Sequence, residues 1–178
     1  PRRTCLSRKA AGAVVEEQVL AANVDVLFIV QALDGDFNLR RLDRYLAMAR
    51  DGGVSPVVVL NKTDICDDVS GRIAAVRRSA GGAPIIAISA ALGDLAPLRA
   101  FLRRGVTFAL VGSSGVGKST IINAIAGEEL QATFAVNEKD GEGRHITTRR
   151  QLLVMPDGSL LIDTPGMREL GLWTAEDR

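Results

Sequence analysis

The sequence predicts a three-layer α/β domain built on a six-stranded, mostly parallel sheet. Two observations carry that prediction. Short β-branched apolar runs alternate with helical segments along the chain, the pattern of a sheet covered by helices on both faces. A glycine-rich loop also leads from one of these runs straight into a helix.

The elements follow in order. Residues 26–30 read as a fully buried strand, and residues 38–50 as an amphipathic helix with Leu39, Leu42, Leu46 and Met48 apolar. A second buried strand covers 56–60. A helix over 70–78 turns Ile73 and Val76 inward, and residues 85–88 form a third strand. A helix is expected over 92–103, a fourth strand over 107–111 and a helix over 118–126 behind the glycine loop. Residues 151–155 and 159–162 flank Pro156-Asp157-Gly158, a turn tripeptide, and read as a β-hairpin. Residues 133–150 are polar, Gly-rich and Arg-rich, without periodicity, and read as a mobile loop. The expected spatial strand order, by first residue, is 151, 159, 107, 26, 57, 85, with strand 151 antiparallel at the edge.

Composition bounds the function classes. With 178 residues there is room for one α/β domain and little for two. The net charge of +1 gives no whole-chain basicity, so any nucleic-acid contact must rest on local clusters. The longest uncharged apolar run, 26–33, is far too short to span a bilayer, so no membrane partner is expected. Arg2, Arg3, Arg8 and Lys9 are not followed by an apolar stretch and a cleavage site, so no signal peptide is read. Cys5 and Cys66 stand apart, which fits a reduced, cytoplasmic compartment and not a zinc site.

The chemistry is concentrated in four stretches. Gly112-Ser113-Ser114-Gly115-Val116-Gly117-Lys118-Ser119-Thr120 matches GxxxxGK[ST], after an apolar strand and at the start of a helix. Its glycines let the backbone curl until successive N–H groups face phosphate oxygens, and the helix amino end adds its positive dipole. Lys118 would reach the β- and γ-phosphates, and the Ser119 hydroxyl would ligate Mg²⁺.

Asn61-Lys62-Thr63-Asp64 follows the second strand and matches the NKxD guanine motif. A carboxylate at Asp64 accepts from both the ring N1–H and the exocyclic amine of guanine, a pair adenine lacks. The Lys62 stem would cover the flat face of the base, and Asn61 would tie neighbouring loops together. Ser89-Ala90, after the third strand, resembles the small-residue loop whose backbone N–H meets the guanine carbonyl. Asp163-Thr164-Pro165-Gly166 matches DxxG, with Asp163 holding Mg²⁺ through water and the Gly166 N–H sensing the γ-phosphate. Between it and the glycine loop lies His145-Ile146-Thr147-Thr148-Arg149, in the place of a first switch loop. Thr148 is favoured as the Mg²⁺-closing threonine, and Thr147 is the alternative. Together these motifs point to a Mg²⁺-dependent enzyme acting on GTP.

Their order is unusual. The guanine motif precedes the glycine loop and DxxG comes last, so the cycle is that of a Ras-like protein opened at another point. A parallel sheet tolerates this, because the loops still gather at the carboxyl ends of its strands.

Beyond the order, several stretches resemble the ribosome small-subunit-dependent GTPase A family (RsgA/YjeQ type). They are Ala21-Ala-Asn-Val-Asp25, Leu33-Asp-Gly-Asp-Phe-Asn38, Gly143-Arg-His-Ile-Thr-Thr148 and Asp163-Thr-Pro-Gly-Met-Arg-Glu169. The resemblance covers nearly the whole chain. It implies a circularly permuted, cytoplasmic GTPase that binds GTP and GDP and serves late maturation of the small ribosomal subunit, whose rRNA it contacts. It also implies an OB-fold before this domain and a zinc-binding domain after it. Pro1-Arg-Arg-Thr4 resembles the last residues leaving an OB-fold, so residues 1–15 are read as a linker and 16–178 as the GTPase domain. Zinc would belong only to the domain that would follow, and a monomer is expected.

Two side chains bear on turnover. Met167 stands where Ras-like enzymes place a water-orienting Gln, and a thioether cannot do that work. By the resemblance His145 positions the water instead; as an isolated residue it reads equally as an exposed loop histidine. The switch arginines Arg144, Arg149 and Arg150 are assigned to RNA phosphates on the same ground, whereas Arg103 and Arg104 read as solvated charges. Two rival readings stay open. One is a permuted GTPase of large-subunit assembly, against which the absence of Pro-Asn in the glycine loop counts. The other is a nucleotide-gated binding module with negligible turnover.

Overall fold

The computed structural model describes residues 1–9, 17–127 and 151–163. The chain opens with an antiparallel hairpin, β1 (Cys5–Lys9) and β2 (Glu17–Ala22). The main sheet then takes β3 (Val26–Ala32), β4 (Ser55–Asn61), β5 (Ile85–Ala87), β6 (Thr107–Val111), β7 (Gln151–Val154) and β8 (Leu160–Asp163). Among the described residues four helices accompany it: α1 (Leu39–Asp51), α2 (Val69–Ser79), α3 (Ala96–Arg99) and α4 (Lys118–Ala126).

The spatial order β5-β4-β3-β6-β8-β7 is the one expected from the sequence. All pairs are parallel except β7 with β8. From β3 the chain proceeds outward through β4 to β5, and from β6 it proceeds the other way to β8. The β3/β6 pair is therefore the point where winding reverses, and crevices at the carboxyl ends of such a pair are where open α/β sheets bind ligands.

The two faces of the sheet bury separate cores, because alternate residues of a strand point to opposite sides. On one face Leu27, Ile29, Val58, Leu60 and Val111 pack under α1 and α2, with Leu42, Leu46 and Val76 inward. On the other, Phe28, Val30, Val59, Phe108 and Leu110 pack under Leu98 of α3 and Ile121, Ile122 and Ile125 of α4. Phe28 meets Phe101 and Phe108 edge-on, with ring centroids 6.2 and 5.8 Å away.

Two parts of the sequence reading differ from the structure. The helix expected over 92–103 is broken: residues 90–92 form a 3₁₀ turn and only Ala96–Arg99 is α-helical. Gly93 takes a left-handed conformation (φ 75°) that ends the turn, and Pro97 can only join a helix at its first turn. The hairpin β1–β2 was not expected, although its apolar positions pack on the α1 face: Leu6 and Leu20 are buried there, and the Cys5 N–H donates to the Gly52 carbonyl at 3.0 Å. Strand β1 falls within the stretch read as a linker.

Truncating Phe28 to alanine removes a fully buried ring and its two edge-to-face partners. The expected loss is about 3–5 kcal/mol of unfolding free energy, read as a lowered urea midpoint at constant m-value.

Candidate nucleotide site

Four loops meet at the carboxyl ends of β3, β4, β5 and β6. The loop after β6, 112–117, needs its glycines. Gly112, Gly115 and Gly117 have φ of 150°, 79° and 97°. A Cβ on Gly112 would lie 2.4 Å from the Val30 carbonyl of the neighbouring strand, and one on Gly117 would lie 2.2 Å from Asn61 Nδ2. The curl leads into α4, so N–H groups at the helix start face the loop's concavity. Lys118 folds back along this loop, its Nζ donating to the carbonyls of Gly112 (2.7 Å) and Ser113 (2.6 Å). Ser114, Ser119 and Thr120 are exposed, while Val116 is buried beneath the loop.

Asn61, the last residue of β4, is 3% exposed and ties three loops together. Its Nδ2 donates to the Val116 carbonyl at 2.9 Å, and its Oδ1 accepts from the Ala90 N–H at 3.0 Å. The Ala90 N–H, expected at a guanine oxygen, thus has a partner inside the protein, which a base would have to share or displace. Lys62 is held in the left-handed region (φ 67°), which turns the chain sharply off the strand end. Asp64 is exposed, and it accepts from the hydroxyl of the buried Ser89 at 2.5 Å. That bond aligns one carboxylate oxygen and joins the NKxD loop to the Ser-Ala loop.

Asp163 ends β8, beside β6. Counting on from the pairs Thr107↔Leu160 and Phe108↔Leu161 sets it level with Leu110, just short of the glycine loop. It is 8% exposed. His145, Thr147, Thr148, Gly166, Met167 and the switch arginines lie outside the described residues, as does DxxG beyond Asp163. The structure thus gathers the candidates from Asn61 to Asp163 at the carboxyl ends of the sheet's strands.

Sequence reading assigned no role to the loop after β3. It carries Asp34, whose Oδ2 accepts from Lys62 Nζ at 2.7 Å, and Asp36, which accepts from the Ser113 hydroxyl and from Arg41. The Asp-Gly-Asp spacing between a strand end and the capping Asn38 was the available signal. The Lys62 hydrogen bond, then the Asp36 backbone N–H, hold the Asp34 carboxyl below its ordinary 3.8 against a smaller push from burial. At Asp36 burial pushes upward, but the Ser113 hydroxyl and Arg41 together outweigh it and the carboxyl again lies low.

The RsgA GTPase family model matches residues 1–173. The chain belongs to the RsgA GTPase family. The small ribosomal subunit biogenesis GTPase RsgA of Opitutus terrae is 52% identical over 178 residues, 99% of this chain and 48% of that one. Its counterpart from Methanosarcina acetivorans is 51% identical over 173 residues, 97% of this chain and 47% of that one. The chain spans about half the length of these curated relatives. The crystal structure of YjeQ from Thermotoga maritima aligns with a TM-score of 0.67 and 28% identity, over 97% of this chain and 55% of that one. YloQ, a circularly permuted GTPase, shares the fold with a TM-score of 0.56 at 24% identity, over 88% of this chain and 48% of that one. The permuted order read from the motifs agrees with that fold. Among the described residues no helix is long and apolar enough to cross a membrane.

Two outcomes follow from this geometry. Replacing Asn61 with alanine strands the Val116 carbonyl and the Ala90 N–H in a buried position. It should cost about 2–4 kcal/mol in urea unfolding, far more than an exposed Asn→Ala change. The second outcome concerns pH. Because Asp34 and Asp36 titrate below 3.8 when folded, the unfolded chain binds more protons just beneath that value. Their contribution is complete above 3.8 and disappears as pH falls through the folded values. Acid unfolding followed by circular dichroism should therefore have a shallower pH dependence in Asp34→Asn than in the parent chain.

Proposed function

We propose that this chain is the GTP-binding and GTP-hydrolysing domain of a cytoplasmic factor acting in late maturation of the small ribosomal subunit. One observation carries the reading: Asn61 bonds at once to the phosphate-type loop at Val116 and to the Ser-Ala loop at Ala90. The phosphate and base ends of one site are thereby fixed in relation to each other.

The roles follow from the donors present. The curled backbone of 112–117 and the start of α4 supply N–H groups for the β- and γ-phosphates, with Lys118 pinned against the same loop. Asp64, aligned by Ser89, accepts the two guanine N–H groups, and the stem of Lys62 lies along the base. Mg²⁺ fits a donor set of the Ser119 hydroxyl, at the first turn of α4, and Asp163, at the end of the adjoining parallel strand, with Thr148 completing it. Bound there, it would neutralise charge on the phosphates. His145 is the residue proposed to orient the attacking water, since Met167 cannot. The relatives' names favour the small subunit over the large as partner, with Arg144, Arg149 and Arg150 on its rRNA. Met167 supports a second reading, a nucleotide-gated binding module with negligible turnover.

Turnover of GTP with Mg²⁺, with and without purified small subunits, tests this directly. Slow hydrolysis accelerated by the subunits is expected, and tight GTP binding without turnover in either condition would favour the binding module. Asp64→Asn should weaken GTP binding roughly tenfold to a hundredfold and shift preference toward xanthosine triphosphate. Unchanged base preference would reject the assignment of Asp64.

A further inference from the structure

Loop 34–38 follows β3, the strand that pairs with β6 where the winding of the sheet reverses. The loop after β6 is the phosphate-type loop, so 34–38 forms the other wall of the same crevice. Its two carboxylates face different motifs. Asp34 accepts from Lys62 Nζ at 2.7 Å and, through its other oxygen, from the Asp36 N–H at 2.9 Å. Asp36 takes the Arg41 guanidinium in a fork, from Nη1 at 3.1 Å and Nη2 at 2.7 Å, and accepts from the Ser113 hydroxyl as well.

A bare carboxylate beside a phosphate cradle would repel the ligand. Here each is matched by its own cation, so each presents an oriented acceptor with its charge balanced. The Arg41 side chain is only 9% exposed, and its Nε has no partner among the described residues. Burying a guanidinium that way is costly. Losing its carboxylate would leave that buried charge uncompensated, so the pair holds Asp36 in place, aided by Asn38, which caps α1 through the Arg41 N–H at 3.0 Å. Phe37, between them, lies under the Arg72 guanidinium of α2, 4.7 Å from the ring centre. Ser113, held by Asp36, in turn offers one of the two carbonyls that pin Lys118.

We propose that loop 34–38 is a two-ended brace: Asp34 positions Lys62 at the base end, and Asp36, through Ser113, positions Lys118 at the phosphate end. Both are positioning residues, acting through a lysine and a serine. The inference rests on the nucleotide reading above and adds to it a division of labour within one short loop.

That division is testable by calorimetric titration of the full chain with GDP and with inorganic tripolyphosphate, which has no base. Asp34→Ala should raise the Kd for GDP about tenfold and leave that for tripolyphosphate within about twofold. Asp36→Ala should raise both, by about tenfold. Since Asp36→Ala also unpairs the buried Arg41, Ser113→Ala serves as the second variant: it cuts the same link from the other side and should repeat the pattern. Equal weakening of both ligands by Asp34→Ala, or no weakening of tripolyphosphate by Ser113→Ala, would overturn the brace while the nucleotide site stands. Failure of the parent chain to bind GDP would overturn the nucleotide reading itself, and the brace with it.

Discussion

The carboxamide of Asn61 is the constraint on which the rest of the site depends. It is buried at the end of β4, and both of its polar ends are used, on loops that follow β5 and β6. A buried amide with one end unsatisfied would be a liability, so the two loops hold the side chain as much as it holds them. Gly117 answers to the same group, since Asn61 Nδ2 occupies the space where a Cβ would stand. The glycine there serves two needs at once, a left-handed backbone and an unobstructed amide.

Within the sheet, the halves of the chain on either side of residue 100 meet along one seam, β3 against β6. Phe28 and Phe108 close it on one face, and the Thr107 N–H donates to Asp25 at 2.8 Å at its amino end. At its carboxyl end Gly112 presses against the Val30 carbonyl, and Ser113 bonds to Asp36. Every one of these contacts joins the part bearing the guanine motif to the part bearing the phosphate-type loop. Neither part can present its loops correctly without the other, so folding the sheet and assembling the site are one event.

Much of this was legible in the sequence, and the reason is physical. Doubly covered parallel strands must be apolar on both faces, so β3, β4 and β6 stand out as continuous runs, and helices of nine residues or more show their inward stripe. The motif order then dictated strand order through to the antiparallel edge. Residues 92–103 misled because an apolar spacing suited to a helix spans Gly93 and Pro97, and local backbone preference overrode it. The hairpin β1–β2 escaped because its pairing is with itself and its burial depends on α1, distant in sequence. Loop 34–38 was visible as a string of residues but not as a device. Nothing in Asp-Gly-Asp says that one carboxylate will find a lysine 28 residues on and the other a serine 77 residues on.

Such long-range pairs bear on why the order of motifs is free to change. What the site requires is that particular strand ends be neighbours, and a parallel sheet supplies neighbours regardless of where the chain begins. Contacts such as Asp36 with Ser113 and Asn61 with Ala90 run between loops set by adjacent strands, and none depends on the connection that joins them in sequence. A permutation moves the connections and leaves the adjacencies.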